Sequence, residues 1–195
     1  MKKHFVDFIG IFDNYVSKKH CKKLIKYFES SIDRQTPGQS GSGVIQPEIK
    51  LSTDMGFVSN DMMEEDLEYL NPFLNALEFC LYQYKKEYSL SLERLGPWEI
   101  SEIFQIQRYL PGEGYFSWHS EASSKRVCHR KLVWMFYLND VKNAGTEFHN
   151  QGIITESICG RLLIWPADWT HLHRGETGEG QKKAKYILTG WFSLI

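Results

Sequence analysis

The sequence predicts an α+β chain that is mainly β. A helical first half, residues 1–98, supports an antiparallel β half, residues 99–195, in a single domain. Three observations carry this. Apolar residues recur at helical spacing up to about Tyr88. After Pro97 that spacing gives way to short β-rich runs parted by Gly and Pro, the pattern of a sandwich or barrel. The length, 195 residues, suits one domain with an elaborated edge and leaves little room for two.

In chain order, residues 4–12 (HFVDFIGIF) read as a short strand. Ser17 supplies an N-cap, and Cys21, Leu24, Ile25, Phe28 and Ile32 recur at helical spacing, so an amphipathic helix is expected over about 18–33. Residues 35–47 (QTPGQSGSGVIQP) read as a mobile loop, with a substrate lid and an idle connection weighed evenly. Asp61 with Glu64 fits a capping box, and Leu67 and Leu70 continue that helix. Asn71-Pro72 then reads as a cap and first-turn proline, opening a new or kinked helix to about Tyr88 with the stripe Phe73, Leu74, Leu77, Leu81, Tyr84. The β runs fall at 99–109, about 115–119, 131–138, 146–149, 153–158, 161–165 and 183–193. No internal repeat is visible.

Hydrophobic residues at 42% and charged residues at 24% exclude a disordered chain, a collagen-like fibre and a disulfide-built miniprotein. Lys+Arg 23 against Asp+Glu 24 leaves a net charge of −1, so neither nucleic acid nor an anionic membrane is expected as a partner. Cys21, Cys80, Cys128 and Cys159 form no C-x-x-C pair. Asp7 and Asp13 interrupt the apolar N-terminal run, and no stretch approaches membrane-spanning length. The expectation is a cytoplasmic protein with reduced thiols.

The chemistry gathers in the β half. His119-Ser120-Glu121 is an H-x-E triplet. On an extended segment, period-two geometry sets its imidazole and carboxylate on one face. With a distal histidine they would make a two-histidine, one-carboxylate metal site. Alone, the triplet is better explained by a strand with exposed polar residues. For the distal histidine, periodicity leaves His171 and His173 open. Lys125, Arg126, His129, Arg130 and Lys131 form a basic run best read as a solvated loop. Trp118, Trp134, Trp165 and Trp169 could stack on a substrate, but barrel core is expected for at least half of them.

Five blocks in order add to this reading: YLPGEGYFSWHSE at 109–121, FYLN at 136–139 with GTEF at 145–148, GRLLIWP at 160–166, HLHRG at 171–175 and KYILTGW at 185–191. In this order they resemble the prolyl 4-hydroxylase-like branch of the iron(II)/2-oxoglutarate dioxygenases, from Ile103 to Phe192. The opening FIGIFDNYVSKKHCKKLIKYFE is similar to that family's first strand and helix. The resemblance implies a double-stranded β-helix, or jelly roll, that turns over 2-oxoglutarate and oxygen to succinate and carbon dioxide while hydroxylating a substrate. It implies Fe(II) and 2-oxoglutarate as cofactors and adds ascorbate as a further candidate. His119 and Glu121 match the first two metal ligands, with Glu where Asp is commoner. His173, followed by Arg174-Gly175, matches the third, which leaves His171 as a pocket-wall residue. Lys185 stands six residues before Trp191, the family spacing for the cation that pairs with the far carboxylate of 2-oxoglutarate. Lys182 and Lys183 are its competitors. Tyr109 and Tyr137 match tyrosines of the cosubstrate pocket, and plain core packing is as good a reading of them. Thr189 shares the inward face of Lys185. The family points to a prolyl or other amino-acid or peptide substrate, with proteins and small molecules also open. Two other readings are a jelly-roll binding module that has lost its metal chemistry and, more weakly, a zinc hydrolase.

Overall fold

Asp7 (φ 44°) and Phe8 (φ 64°) both lie in the left-handed region and fold the first strand back on itself. A two-residue hairpin turn of type I′ has positive φ at both central positions. The computed structural model describes residues 1–40, 43–58, 61–100, 103–176 and 181–195. In it the expected strand 4–12 is instead a hairpin, β1 (Lys2–Val6) and β2 (Ile9–Asp13), with Val6 paired to Ile9. No glycine or asparagine marks this turn in the sequence. Side chains from elsewhere hold it: the Tyr84 hydroxyl donates to the Phe8 carbonyl (2.6 Å), and His171 Nε2 lies 2.8 Å from the Asp7 carbonyl.

Helix α1 (Lys18–Ser30) begins after Ser17, whose hydroxyl accepts the His20 N–H. It ends three residues short of expectation, where Ile32–Arg34 tighten into a 3-10 turn. Strands β3 (Thr36–Pro37), β4 (Lys50–Leu51) and β5 (Thr53–Phe57) follow. Helix α2 (Glu64–Glu87) starts three residues after Asp61 and runs through Pro72 as one element. The Asp66 carboxylate accepts the Met63 N–H at its start. Helix α3 (Ser89–Leu92) closes the helical half. The β half comprises β6 (Trp98–Glu99), β7 (Phe104–Tyr109), β8 (Gly114–Tyr115), β9 (Arg130–Tyr137), β10 (Val141–Phe148), β11 (Ile153–Ser157), β12 (Leu162–Pro166), β13 (His173–Gly175) and β14 (Lys185–Leu194).

These strands make a large antiparallel sheet in the order β1-β2-β12-β9-β14-β7-β5-β3, with β6 also on β14. A smaller sheet, β11-β10-β13, and the β4–β8 pair face it. This is a jelly roll with supporting helices. The first half does more than support, because β1 and β2 extend one edge of the large sheet and β5 and β3 the other. The run 50–57 is not expected as strand, because Asp54 and Gly56 weaken its signal. In the fold Lys50 neutralises Asp54 (2.6 Å) and the Ser52 hydroxyl donates to it (2.7 Å), all three buried.

Period-two alternation divides the large sheet between two cores. Phe104, Ile106, Leu132, Trp134, Phe136, Leu188 and Phe192 pack outward on Leu24, Phe28, Phe73, Leu77 and Cys80 of the helices. Burying each large apolar side chain stabilises by about 1.5–3 kcal/mol. Tyr109, Val133, Met135, Tyr137 and Ile187 face inward with Phe148 and Trp165. Gly190 allows the outer layer to close: a Cβ there would lie 2.6 Å from Phe104 Cβ and from the Trp134 ring. The four cysteines are unpaired, and among the described residues no helix is long and apolar enough to cross a membrane.

Candidate metal centre and its cavity

His119 and His173 are direct cross-strand partners. Each donates its backbone N–H to the other's carbonyl at 3.0 Å, which joins the segment after β8 to the start of β13. Glu121 follows, its N–H and that of Ala122 both bonded to the Ala167 carbonyl at 3.0 Å. The outcome is a cluster in which His119 Nε2 and His173 Nε2 lie 3.5 and 3.6 Å from the same oxygen, Glu121 Oε1. The three donor atoms all fall within 4.8 Å of one another.

Local contacts point the lone pairs inward. His119 Nδ1 is 2.9 Å from the Ser117 carbonyl and His173 Nδ1 is 2.9 Å from the His171 carbonyl. A carbonyl only accepts, so each Nδ1 carries the proton and each Nε2 is left as a donor to a metal. Tyr115 stacks on the His119 ring at 3.6 Å and 10°. Burial and the neighbouring His119 lower the His173 pKa and keep it in the neutral form that metals bind. Burial pulls the Glu121 carboxyl upward, but the bonds and charges of the two histidines outweigh it and hold the group well below the usual carboxylate range.

The cluster opens on a cavity of about 530 Å³. Lys185, Ile187, Thr189 and Trp191 of β14 line it on one shared face, beside Gln105, Gln107 and Tyr109 of β7. Lys185 is buried, with the Tyr109 ring 5.0 Å from its ammonium. Among the described residues no hydrogen bond or ion pair reaches that ammonium. Burial drives its pKa down to about 8, opposed by the charge of Glu176. The Tyr109 hydroxyl donates to Gln107 (2.6 Å), and the Thr189 hydroxyl donates to the Trp134 carbonyl (2.9 Å), so Thr189 can only accept from anything in the cavity. Tyr137 stands behind the wall: its hydroxyl meets Thr146 (2.6 Å) and Thr155 (3.1 Å), and Thr146 is the residue that faces the cavity.

His171 is not on a strand with His173. It ends the 3-10 turn Trp169–His171, and its ring nitrogens are engaged by Thr170 and the Asp7 carbonyl, away from the cluster. Of the four tryptophans, Trp134 and Trp165 are buried, Trp165 lines the cavity, and Trp169 is 73% exposed. The basic run is only partly a solvated loop. Arg130 and Arg126 line the cavity, and Arg130 NH1 lies 3.3 Å from Glu121 Oε2. No one-dimensional signal sets Arg130 apart from its basic neighbours. The loop 35–47 supplies Gln39, Ser40 and Gly43 to the cavity wall, and its residues 41–42 lie outside the described residues. The 176–184 loop before Lys185 is likewise only partly described.

Residues 104–193 match the model of the 2OG-Fe(II) oxygenase superfamily, where 2OG is 2-oxoglutarate. This segment is a 2OG-Fe(II) oxygenase domain. The match covers just under half of the chain. Solved structures share the fold over nearly the whole chain. A viral collagen prolyl hydroxylase from Paramecium Bursaria Chlorella virus-1, solved with 2OG, is 16% identical, with 97% of each chain covered and a TM-score of 0.68. A Pseudomonas putida prolyl-4-hydroxylase is 14% identical, covers 96% of this chain and 93% of its own, and scores 0.69. A Trichoplax adhaerens prolyl hydroxylase, in complex with a hypoxia inducible factor peptide fragment, is 16% identical, covers 96% and 84%, and scores 0.73. No curated protein matches this chain in sequence. The oxygenase family uses iron(II) and 2-oxoglutarate, and the cavity fits both. Two imidazoles and a carboxylate are a donor set for iron(II), and a buried ammonium that makes no ion pair among the described residues suits a dianion.

Proposed function

We propose that this protein hydroxylates a prolyl or other amino-acid residue of a peptide substrate, using iron(II) and 2-oxoglutarate and releasing succinate and carbon dioxide. The observation that carries the reading is one cavity with a His-Glu-His cluster and the Lys185 ammonium both in its wall. His119, Glu121 and His173 hold the iron. Lys185 takes the far carboxylate of 2-oxoglutarate, with Tyr109 and Thr189 beside it and Tyr137 bracing Thr146. Bound iron(II) with 2-oxoglutarate supplies oxidative decarboxylation coupled to hydroxylation of a C–H bond.

The residues of the chain do the rest. The carbonyls of Ser117 and His171 keep a proton on Nδ1 of both histidines, so each Nε2 is the nitrogen turned to the metal. The low pKa of Glu121 keeps its carboxylate ionised for the metal. Lys185, charged at neutral pH, repels a second cation and orients the dianion with its keto-acid end toward the cluster. Val133, Met135, Trp165 and Ile187 give the cavity apolar walls that limit water near the reacting carbon. The peptide substrate is supported by the similarity to prolyl hydroxylases, one of them solved with a peptide fragment.

The test is anaerobic loading with iron(II) followed by 2-oxoglutarate and oxygen. Succinate should form slowly without substrate and faster with proline-containing peptides, and mass spectrometry should find a gain of one oxygen on the peptide. Absence of succinate with iron demonstrably bound would overturn the enzymatic reading.

A further inference from the structure

We propose that Arg130 is a positioning residue that restricts Glu121 to a single metal contact and so sets how many positions on the ion stay open. This rests on the iron site proposed above. The two Glu121 oxygens have different partners. Oε1 faces both histidine Nε2 atoms, at 3.5 and 3.6 Å, while Oε2 lies 3.3 Å from Arg130 NH1. The guanidinium is held in turn: its central carbon sits 3.7 Å from the centroid of the Trp191 ring, and its side chain is 11% exposed. Arg130 opens β9 opposite Ser193, at the register shift between Phe192 and Ser193 that ends its regular pairing with β14.

A carboxylate can bind a metal through one oxygen or both. Glutamate has one more side-chain torsion than aspartate, so Glu121 has the freedom to turn Oε2 onto the ion. On an octahedral ion, two imidazoles and one oxygen leave three positions, enough for a chelating 2-oxoacid and for oxygen. A second Glu121 oxygen would remove one of them. To make that turn Oε2 must give up a charge-assisted hydrogen bond to a guanidinium stacked on an indole, and Arg is suited to both contacts at once. The longer carboxylate and the arginine therefore work as a pair.

The test uses manganese(II) alone as the probe and counts its exchangeable waters from the broadening of its EPR lines in ¹⁷O-enriched water. Arg130→Met should bind manganese with one water fewer than the wild-type protein, because Oε2 replaces it. Arg130→Lys, which restores a charged donor, should return the lost water. Equal counts in wild type and Arg130→Met overturn the proposal, as would be seen if Arg130 served only the substrate or only packing. Should Arg130→Met fail to fold, Trp191→Leu removes the stacking platform and should lower the count, and an unchanged count there overturns the proposal equally. Failure of the wild-type protein to bind manganese is a separate outcome, which overturns the iron reading together with this one.

Discussion

At the Glu121 end of the cavity, protein groups bond protein groups: carbonyls hold both histidine rings, Arg130 holds the carboxylate, and Trp191 holds Arg130. At the Lys185 end, a buried ammonium faces an aromatic ring, and among the described residues no bond reaches it. Under the proposed function, the difference follows from what each end would bind. A metal needs several donors set in advance at fixed angles, so the cluster is built and braced ahead of the ion. A dianion needs one strong charge that has not been satisfied already, and such a charge costs folding stability until the ligand comes.

The sharpest way to break this contrast is at the cluster. His173→Ala and Glu121→Ala should each lower manganese(II) or iron(II) affinity by more than roughly a hundredfold, beyond the 10–100-fold typical of an outer partner. His171→Ala should leave affinity unchanged, since its ring points to Asp7. Metal titration decides, and the reverse pattern would transfer the ligand role to His171.

Lys185→Met should show two effects of opposite sign. Affinity for 2-oxoglutarate in the metal-loaded protein should fall roughly a hundredfold or more, about 3–5 kcal/mol, followed by the charge-transfer absorption on anaerobic titration. The ligand-free variant should be more stable than wild type. The folded pKa of Lys185 is about 8 against 10.5 for an exposed lysine. Below pH 8 both states carry the proton, and the wild-type chain bears the whole cost of a buried charge, on the order of 3 kcal/mol. Between 8 and 10.5 the unfolded chain binds more protons than the folded one, so wild-type stability rises with pH. The advantage of Lys185→Met should therefore be largest near neutrality and fade toward pH 10.5 in denaturant melts. A constant gap would mean that Lys185 is not desolvated. By the same sign, 2-oxoglutarate binding to wild type should weaken as pH rises through about 8.

The smallest effect is expected at Tyr137. Tyr137→Phe removes a buried hydroxyl from Thr146 and Thr155 and should cost about 1 kcal/mol in a thermal melt. Its effect on 2-oxoglutarate should be far below that of Lys185→Met. A comparable loss would place the Tyr137 hydroxyl on the cosubstrate itself, ahead of Thr146.

Legibility in the sequence varies with the range of the interaction. Alternation along KLVWMFYL and KYILTGW is a local property, so the strands and the shared face of Lys185, Ile187, Thr189 and Trp191 can be read from the residues alone. The H-x-E triplet is equally local. The hairpin turn at Asp7 and Phe8 is hidden because its positive φ values are held by Tyr84 and His171, residues 76 and 164 positions away from Phe8 and Asp7. Strand β5 is hidden because Asp54 belongs in a sheet only when Lys50 and Ser52 neutralise it. At Pro72 the residues suggest a new or kinked helix, and the fold runs one helix through it. Proline removes one backbone donor, and the packing of Leu70, Phe73 and Leu77 into the core carries α2 through it.

By itself the sequence determined the order of elements in the β half, the inward face of each main strand and the short list of groups able to bind metal or dianion. Those features repeat at a period of two or sit within a few residues of each other. Only the tertiary structure parts His171 from His173 on physical grounds, because a 3-10 turn ending at His171 sends the two rings to different places. Only it separated Arg130 from the other cations of its run, since a contact with Glu121 and a seat on Trp191, 61 positions away, depend on how β9 and β14 pair. Charge and periodicity along a chain say which side a residue faces; which group it meets there is a property of packing.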